Sequence, residues 1–322
     1  MQSPAPDFDA VLDAHKRIAP WIHRTPVLTS DTFNTQSGAT LYFKCENLQK
    51  AGAFKARGAH NAVFSLSDAD AARGVATHSS GNHGAALACA ARSRGIPATV
   101  VMPQNAPRAK VAAVRNYGGD VHFCEPNTPA REAMLQTIVE DTGAKFVHPY
   151  DNAEVIAGQG TCALELVEDF PDLDAILTPV GGGGLLSGTA LTLAARAPGT
   201  RLLAAEPRMA DDAYRSLQSG QIEPMDNPQT IADGLKTPLG QLTFPLIRDH
   251  AEAILLVSES QIIDAMRLIW ERMKVVVEPS AATVLAAVFA HPDTFAGQRV
   301  GVIFSGGNVD LDTLPWQSQG VE

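Results

Sequence analysis

The 322-residue chain has few cysteines, and the four present (Cys45, Cys89, Cys124 and Cys162) are far apart with no CxxC pair. This pattern offers neither a disulfide frame nor a zinc site and fits reduced thiols in a cytosolic setting. Basic residues are in deficit, 25 Lys and Arg against 35 Asp and Glu, for a net charge of −10. The balance argues against nucleic acid or an anionic membrane as a partner. It leaves room for a small acidic substrate, because a local site can oppose the global field. No apolar run approaches a membrane span, and Asp7, Asp9 and Asp13 stand where a signal peptide would need a basic and then an apolar segment. Internal repeats and low-complexity tracts are also missing. These absences describe a soluble, cytoplasmic globular protein, long enough for one large or two modest domains.

What is present is an alternation of short apolar or β-branched runs with Ala-rich helical patterns, the signature of a parallel α/β fold. The runs predict strands at 41–45, 74–77, 98–102, 120–123, 145–148, 175–179, 201–205, 253–257 and 300–304. Helical patterns fall at 82–94, 108–117, 129–141, 155–168, 185–197, 259–273 and 280–290. Residues 220–245, rich in Pro, Gly and Gln, read as a long excursion rather than a linker to a separate module. The strand–helix units within 73–150 predict a small inserted domain, with 1–72 plus 151–322 forming a larger one.

Five stretches carry chemistry. In Glu46–Ala59 a lysine, Lys55, sits between Phe54 and small residues at the start of an apolar helix pattern through Ala62, Val63 and Leu66. Desolvation there would lower its pKa and make it an amine nucleophile for a carbonyl cofactor. A snorkelling surface lysine is the default for any single lysine, and only the company it keeps displaces that reading. His78-Ser79-Ser80-Gly81-Asn82-His83-Gly84 places hydroxyls, an amide and glycine-exposed N–H groups at a helix start, suited to a carboxylate, or merely forms a serine-capped turn. Gly181-Gly182-Gly183-Gly184 between a strand and a helix suits close backbone approach to a phosphate; a flexible turn is the alternative. Ser305-Gly306-Gly307-Asn308 follows a strand and puts a hydroxyl at the carboxyl edge of a sheet, although a plain turn explains it equally. Glu206, Asp211 and Asp212 form either oxygen ligands for a hard cation or an acidic solvated loop.

In order and spacing these stretches, with Val155–Thr161 (VIAGQGT), resemble the fold-type-II pyridoxal-phosphate enzymes, and closely the group of serine racemase, serine/threonine dehydratase and 3-hydroxyaspartate ammonia-lyase. The likeness runs from Arg24-Thr25-Pro26 to Asn308, nearly the whole chain. The resemblance implies a two-domain α/β fold of the tryptophan synthase β type, with parallel-rich twisted sheets flanked by helices. It implies that Lys55 holds pyridoxal 5'-phosphate covalently and then acts as the base at the substrate α-carbon. Phe54 would pack beside the cofactor ring and Asn82 would bond its phenolic oxygen. Gly181, Gly182, Gly183 and Gly184, with the Leu185 amide, would cradle the phosphate. Ser305 would face the pyridine nitrogen, where a neutral hydroxyl favours prompt β-elimination. Ser79, Ser80, Gly81, Asn82 and His83 would bind the substrate α-carboxylate, with Ser80 also the second acid/base group that racemisation needs. Arg131 matches an arginine that reaches a dicarboxylate ligand's distal carboxylate; a solvated arginine paired with Glu125 or Glu132 is the alternative. Glu206, the Ala210 carbonyl and Asp212 match a divalent-cation site for magnesium or calcium, with manganese a third option.

The implied activity is a β-hydroxy-amino-acid ammonia-lyase, with 3-hydroxyaspartate to oxaloacetate the specific expectation and a homodimer the expected assembly. Serine racemase or serine/threonine dehydratase is the alternative within the fold. A nonenzymatic ligand-binding protein of the same fold is the alternative of another class, and Lys55 argues against it. Ala53 departs from the serine of many relatives. Ala51 and Ala85 replace polar residues near the nucleotide-effector site of mammalian serine racemase, so nucleotide activation is not expected here. No regulatory extension follows Asn308, so feedback control is not expected either.

Overall fold

The computed structural model describes residues 4–79, 81–106 and 108–317. The strands are β1 (Val27–Leu28), which went unread, and, from the nine apolar runs, β2 (Thr40–Cys45), β3 (Val75–His78), β4 (Ala98–Pro103), β5 (Asp120–Cys124), β6 (Lys145–Phe146), β7 (Ala175–Pro179), β8 (Arg201–Pro207), β9 (Ala253–Val257) and β10 (Arg299–Phe304). They form a six-stranded sheet of order β1-β2-β10-β7-β8-β9 and a four-stranded sheet of order β5-β4-β3-β6. Every pair is parallel except β1 with β2. All residues of the smaller sheet come from 75–146.

Central strands are apolar on both faces because helices cover both sides of a parallel sheet. Along β10, Val302 and Phe304 face a core with Phe33, Phe43, Leu177 and Leu285, while Ile303 faces one with Leu166, Ile176 and Leu186. The smaller sheet packs Val100 and Met102 under the helix Asn82–Arg94, and Ala76 and Val101 under Thr128–Thr142. The carboxyl ends of β2, β3, β7 and β10 lead into the segments carrying Lys55, Ser79, the glycine run and Ser305, as expected where ligands bind an open parallel sheet.

The structure departs from the sequence reading at several places. The strand expected over 145–148 stops at Phe146, because the His148 ring turns the chain by accepting from the Tyr150 and Asp151 amides (3.4 and 2.9 Å). The helix expected over 259–273 is regular only as Glu259–Leu268 and ends in a π turn, Ile269–Met273, closed by Lys274 at φ 59°. Asp212 does not lie in a loop but opens the helix Asp212–Ser219. The excursion over 220–245 contains a short 3₁₀ turn, Asp233–Leu235, and its last residues open the helix Thr243–His250. The helices Phe8–Ile18, Asp31–Ser37 and Asp68–Ala72 went unread. For the first the signal was present: Asp7 is its N-cap, its carboxylate accepting from the Ala10 amide at 3.0 Å.

Candidate active site

Lys55 opens the helix Lys55–Phe64, and the segment before it is stitched to the end of β10. The Phe54 amide donates to the Ser305 carbonyl at 2.9 Å, and Ala53 pairs with Gly306. Lys55 and the buried Ser305 are therefore fixed relative to each other by backbone, before any side chain contributes. The Lys55 amine donates to the Pro149 carbonyl at 2.7 Å and lies 5.0 Å from the centre of the Phe54 ring. Burial pushes its pKa down to about 8, against the opposing pull of Glu278. Three histidines surround this region. His78 is pushed down to about 4 by burial and then by Arg131; His148 reaches about 4 by burial and then by His78; His83 lies well below the usual imidazole range by burial and then by Lys55.

The four glycines form a turn in which Gly183 takes φ +89°, a conformation that a side chain would strain. Gly182 lies so close to the Tyr150 ring that a Cβ there would clash with it. Ser187 makes the first backbone bond of the helix Gly184–Arg196, to the Gly183 carbonyl at 2.8 Å. The amides of Gly184 and Leu185 therefore have no intrahelical acceptor and present N–H groups at the positive end of the helix. The 220–245 excursion closes over this turn: a Cβ on Gly181 would meet Leu235 Cα at 3.0 Å, and the Thr243 hydroxyl donates to the Gly182 carbonyl at 2.8 Å.

After β3, the Ser79 hydroxyl accepts from the Gly81 amide at 3.2 Å, and Gly81 faces open space. Ser80 lies outside the described residues. Asn82 opens the helix Asn82–Arg94 with both ends of its amide engaged: Nδ2 donates to Glu278 at 2.8 Å, and Oδ1 accepts from Asn308 at 2.9 Å. One Nδ2 hydrogen is left for a ligand. The His83 ring is committed to the Val147 carbonyl (3.1 Å), so its contribution to an anion would come from its amide. Arg131, on the helix Thr128–Thr142, is half-buried, and its charge acts on His78, Cys124 and Tyr150. A cavity of about 290 Å³ opens beside Asn82, lined by Gly81, Ala85, Lys110, Asp233 and Asn308.

Glu206 and Asp212 are buried together. Glu206 accepts from the amides of Ala213 (2.9 Å) and Tyr214 (2.8 Å). Both Asp212 oxygens are buried without a partner at hydrogen-bond geometry, the Leu239 amide and its own acting only as looser dipoles. Burial and then Asp212 push Glu206 up to about 9, and burial pushes Asp212 up to about 7. Two buried carboxylates holding unfilled lone pairs suit a hard cation, with the buried Ala210 beside them. Among the described residues no group of three or more His, Cys, Asp or Glu side chains clusters for a metal, so the remaining ligands would be carbonyls and water.

The sequence reading missed Pro149, Tyr150, Glu278 and Thr243. Tyr150 and Thr243 carry no motif and meet the glycine run only through the fold. Glu278 follows an apolar run and reads in sequence as a helix start; its burial at 3 % exposure beside Asn82 appears only in three dimensions.

The pyridoxal-phosphate dependent enzyme family matches residues 18–306. The chain is 56 % identical over 311 residues to a β-hydroxyaspartate dehydratase of Paracoccus denitrificans, covering 97 % of this chain and 99 % of that one. It is 45 % identical over 307 residues to an L-threo-3-hydroxyaspartate ammonia-lyase of Saccharomyces cerevisiae, covering 95 % and 94 %. The solved structure of maize serine racemase superposes with a TM-score of 0.95 at 47 % identity, covering 98 % and 97 %. A half-buried lysine of depressed pKa, with a glycine turn that presents free helix amides, fits the aldehyde and phosphate of that cofactor. The expected fold-type-II architecture and family likeness therefore hold: the chain belongs to the pyridoxal-phosphate dependent enzyme family.

Proposed function

We propose that the protein is a pyridoxal-phosphate-dependent ammonia-lyase that converts 3-hydroxyaspartate to oxaloacetate and ammonia. Similarity to a β-hydroxyaspartate dehydratase and a 3-hydroxyaspartate ammonia-lyase over nearly the whole chain supports the class of reaction. The observation that carries the substrate is Arg131, half-buried and acting on His78 and Tyr150 beside Lys55. A guanidinium suits a distal carboxylate because it pairs in bidentate fashion and stays charged when desolvated.

When bound, the cofactor withdraws electrons from the substrate α-carbon. The chain's residues do the rest. Lys55 would join the cofactor, with Phe54 beside its ring, Asn82 at its phenolic oxygen, Ser305 at its ring nitrogen and the amides from Gly181 to Leu185 around its phosphate. Ser79, Gly81, Asn82 and the His83 amide would hold the α-carboxylate, and Ser80 would be the second acid/base group. Lys55 Nζ takes the proton from the α-carbon, which its lowered pKa allows near neutrality. The β-hydroxyl would then leave as water with the proton that Lys55 Nζ took from the α-carbon, and hydrolysis of the released enamine gives the 2-oxo acid and ammonia. Glu206, the Ala210 carbonyl and Asp212 would hold magnesium or calcium away from the chemistry, ordering the start of the helix Asp212–Ser219.

The composition of the two sheets supports a small domain over 73–150 and a large one over 1–72 plus 151–322. Four buried free cysteines support a cytoplasmic setting, and no helix of the described residues is long and apolar enough to cross a membrane. A homodimer completes the reading.

The test compares kcat/KM for 3-hydroxyaspartate, L-serine and L-threonine, read as 2-oxo acid released. Arg131→Ala should cost about 2–4 kcal/mol in kcat/KM for hydroxyaspartate while sparing serine. Equal losses on both substrates, or a wild-type preference for threonine, would replace this reading with a general serine/threonine dehydratase.

A further inference from the structure

Between β6 and the helix Ala153–Asp169 the chain crosses from the small sheet to the large one through residues 147–152, with no helix or strand to hold it. Four consecutive residues there face four different parts of the site. His148 turns the segment through its ring, accepting from the Tyr150 and Asp151 amides. Pro149 offers its carbonyl to the Lys55 amine at 2.7 Å. The Tyr150 ring lies against Gly182, and the Tyr150 Cβ is 3.2 Å from where a Cβ of Gly184 would stand. Asp151 accepts from the Leu242 and Gln241 amides (2.7 and 3.1 Å), just before Thr243, whose hydroxyl holds the Gly182 carbonyl.

We propose that Tyr150 is a positioning residue: its ring, braced on the glycine turn, fixes the Pro149 carbonyl that receives the Lys55 amine. The ring also meets His148, edge-on with centroids 4.6 Å apart. Removing it would leave a void between the glycine turn and the carbonyl, and water would enter next to the amine. The phenol is pushed up to about 12 by burial and then by Asp151, so it stays protonated and contributes shape rather than charge. The absence of side chains at Gly182 and Gly184 thereby gains a second role, because it admits this ring as well as a phosphate.

The inference rests on the reading of Lys55 as the amine that joins the cofactor. It is tested by the pH dependence of pyridoxal 5'-phosphate capture by apoprotein, followed by absorbance and by borohydride trapping with mapping of the modified lysine. Wild type and Tyr150→Phe should share a midpoint near the Lys55 pKa of about 8. In Tyr150→Ala and Tyr150→Leu the midpoint should rise by about one pH unit, because burial is the larger cause of the depression and hydration relieves it. A merely structural loss would lower the yield at every pH without moving the midpoint. Should Tyr150→Ala not fold, Tyr150→Leu, which keeps much of the volume without the flat ring, carries the test. An unmoved midpoint in a folded ring-deleted variant overturns the proposal, as does an equal shift in Tyr150→Phe. Capture persisting in Lys55→Ala, on another lysine, would strike the Lys55 reading itself and is a separate outcome.

Discussion

Arg57 and Lys55 lie two residues apart on one helix, and both are enclosed, yet their surroundings follow opposite rules. The Arg57 guanidinium donates to both oxygens of Glu46 (2.7 and 2.8 Å), both oxygens of Glu165 (2.8 Å each) and the Thr161 hydroxyl (3.1 Å). Lys44 completes the set, donating to Glu165 at 2.6 Å and to the Thr25 carbonyl at 2.8 Å. Two cations and two carboxylates balance, and every charge is engaged. Around Lys55 the accounting is left open. Glu278 Oε2 and His83 Nδ1 are buried without a hydrogen-bond partner. Glu278 is pushed up to about 7 by burial, with Lys110 and its bond from Asn82 opposing. The first cluster fixes the helix register by satisfying itself; the second keeps capacity that only a ligand can fill. Buried charge thus marks a binding site where it is unsatisfied, not where it is abundant.

The largest expected effect comes from breaking the closed cluster. Arg57→Met removes the guanidinium that Glu46 and Glu165 share, leaving Lys44 bonded to Glu165 only, and should cost about 3–5 kcal/mol of stability. Glu278→Gln, in the open cluster, should change stability by less than about 1 kcal/mol, since it removes a charge that burial already disfavours. Denaturant midpoints of the two variants measure the contrast. Similar losses would show that both clusters are structural.

Acid should sharpen the same contrast through His60, which sits with Arg57 on the closed stretch of that helix. Its Nδ1 donates to the Ala56 carbonyl at 2.7 Å, and burial pushes its pKa down to about 4. The unfolded chain binds a proton near pH 6.5 and the folded one only near 4, so this stability is present above 6.5 and lost as pH falls between them. Between pH 7 and 5 the loss from this group should be about 2 kcal/mol. His60→Gln should remove that part of the acid sensitivity, read as the difference in denaturant midpoint between the two pH values. A variant as acid-sensitive as wild type would place the titration elsewhere.

These contrasts also explain how far the sequence could be read. The strands of both sheets were legible because parallel strands buried on both faces leave continuous apolar runs, as in Ala175–Pro179. The glycine run and Ser305 were legible because each follows a strand end, and Lys55 because it opens a helix between Phe54 and small residues. The sequence reading did not find Pro149 and Tyr150, because a carbonyl that holds a lysine has no side-chain signature. Nor did it foresee that Asn82 would already be engaged by Glu278, 196 residues away. The acidic stretch at 206–212 was ambiguous for a different reason. Whether carboxylates are solvated or buried is decided by packing, and here Glu206 and Asp212 are each 1 % exposed.

The smallest effect tests that last pair. Burial raises the pKa of both carboxyls and Asp212 raises that of Glu206 further, so without a cation the site should hold at least one proton near neutrality. A bound cation must displace it, and the cation's stabilisation should therefore grow from pH 6 to pH 8. At a tenfold excess over Kd the gain should be about 1.4 kcal/mol, read as a rise in Tm when magnesium or calcium is returned to EDTA-treated protein. Asp212→Asn should abolish the gain while leaving the cation-free protein no less stable, because it removes a buried charge that lacks a partner. An equal rise in Asp212→Asn would move the cation to another site, and no rise in wild type at pH 8 would leave the pair as buried carboxyls that simply keep their protons.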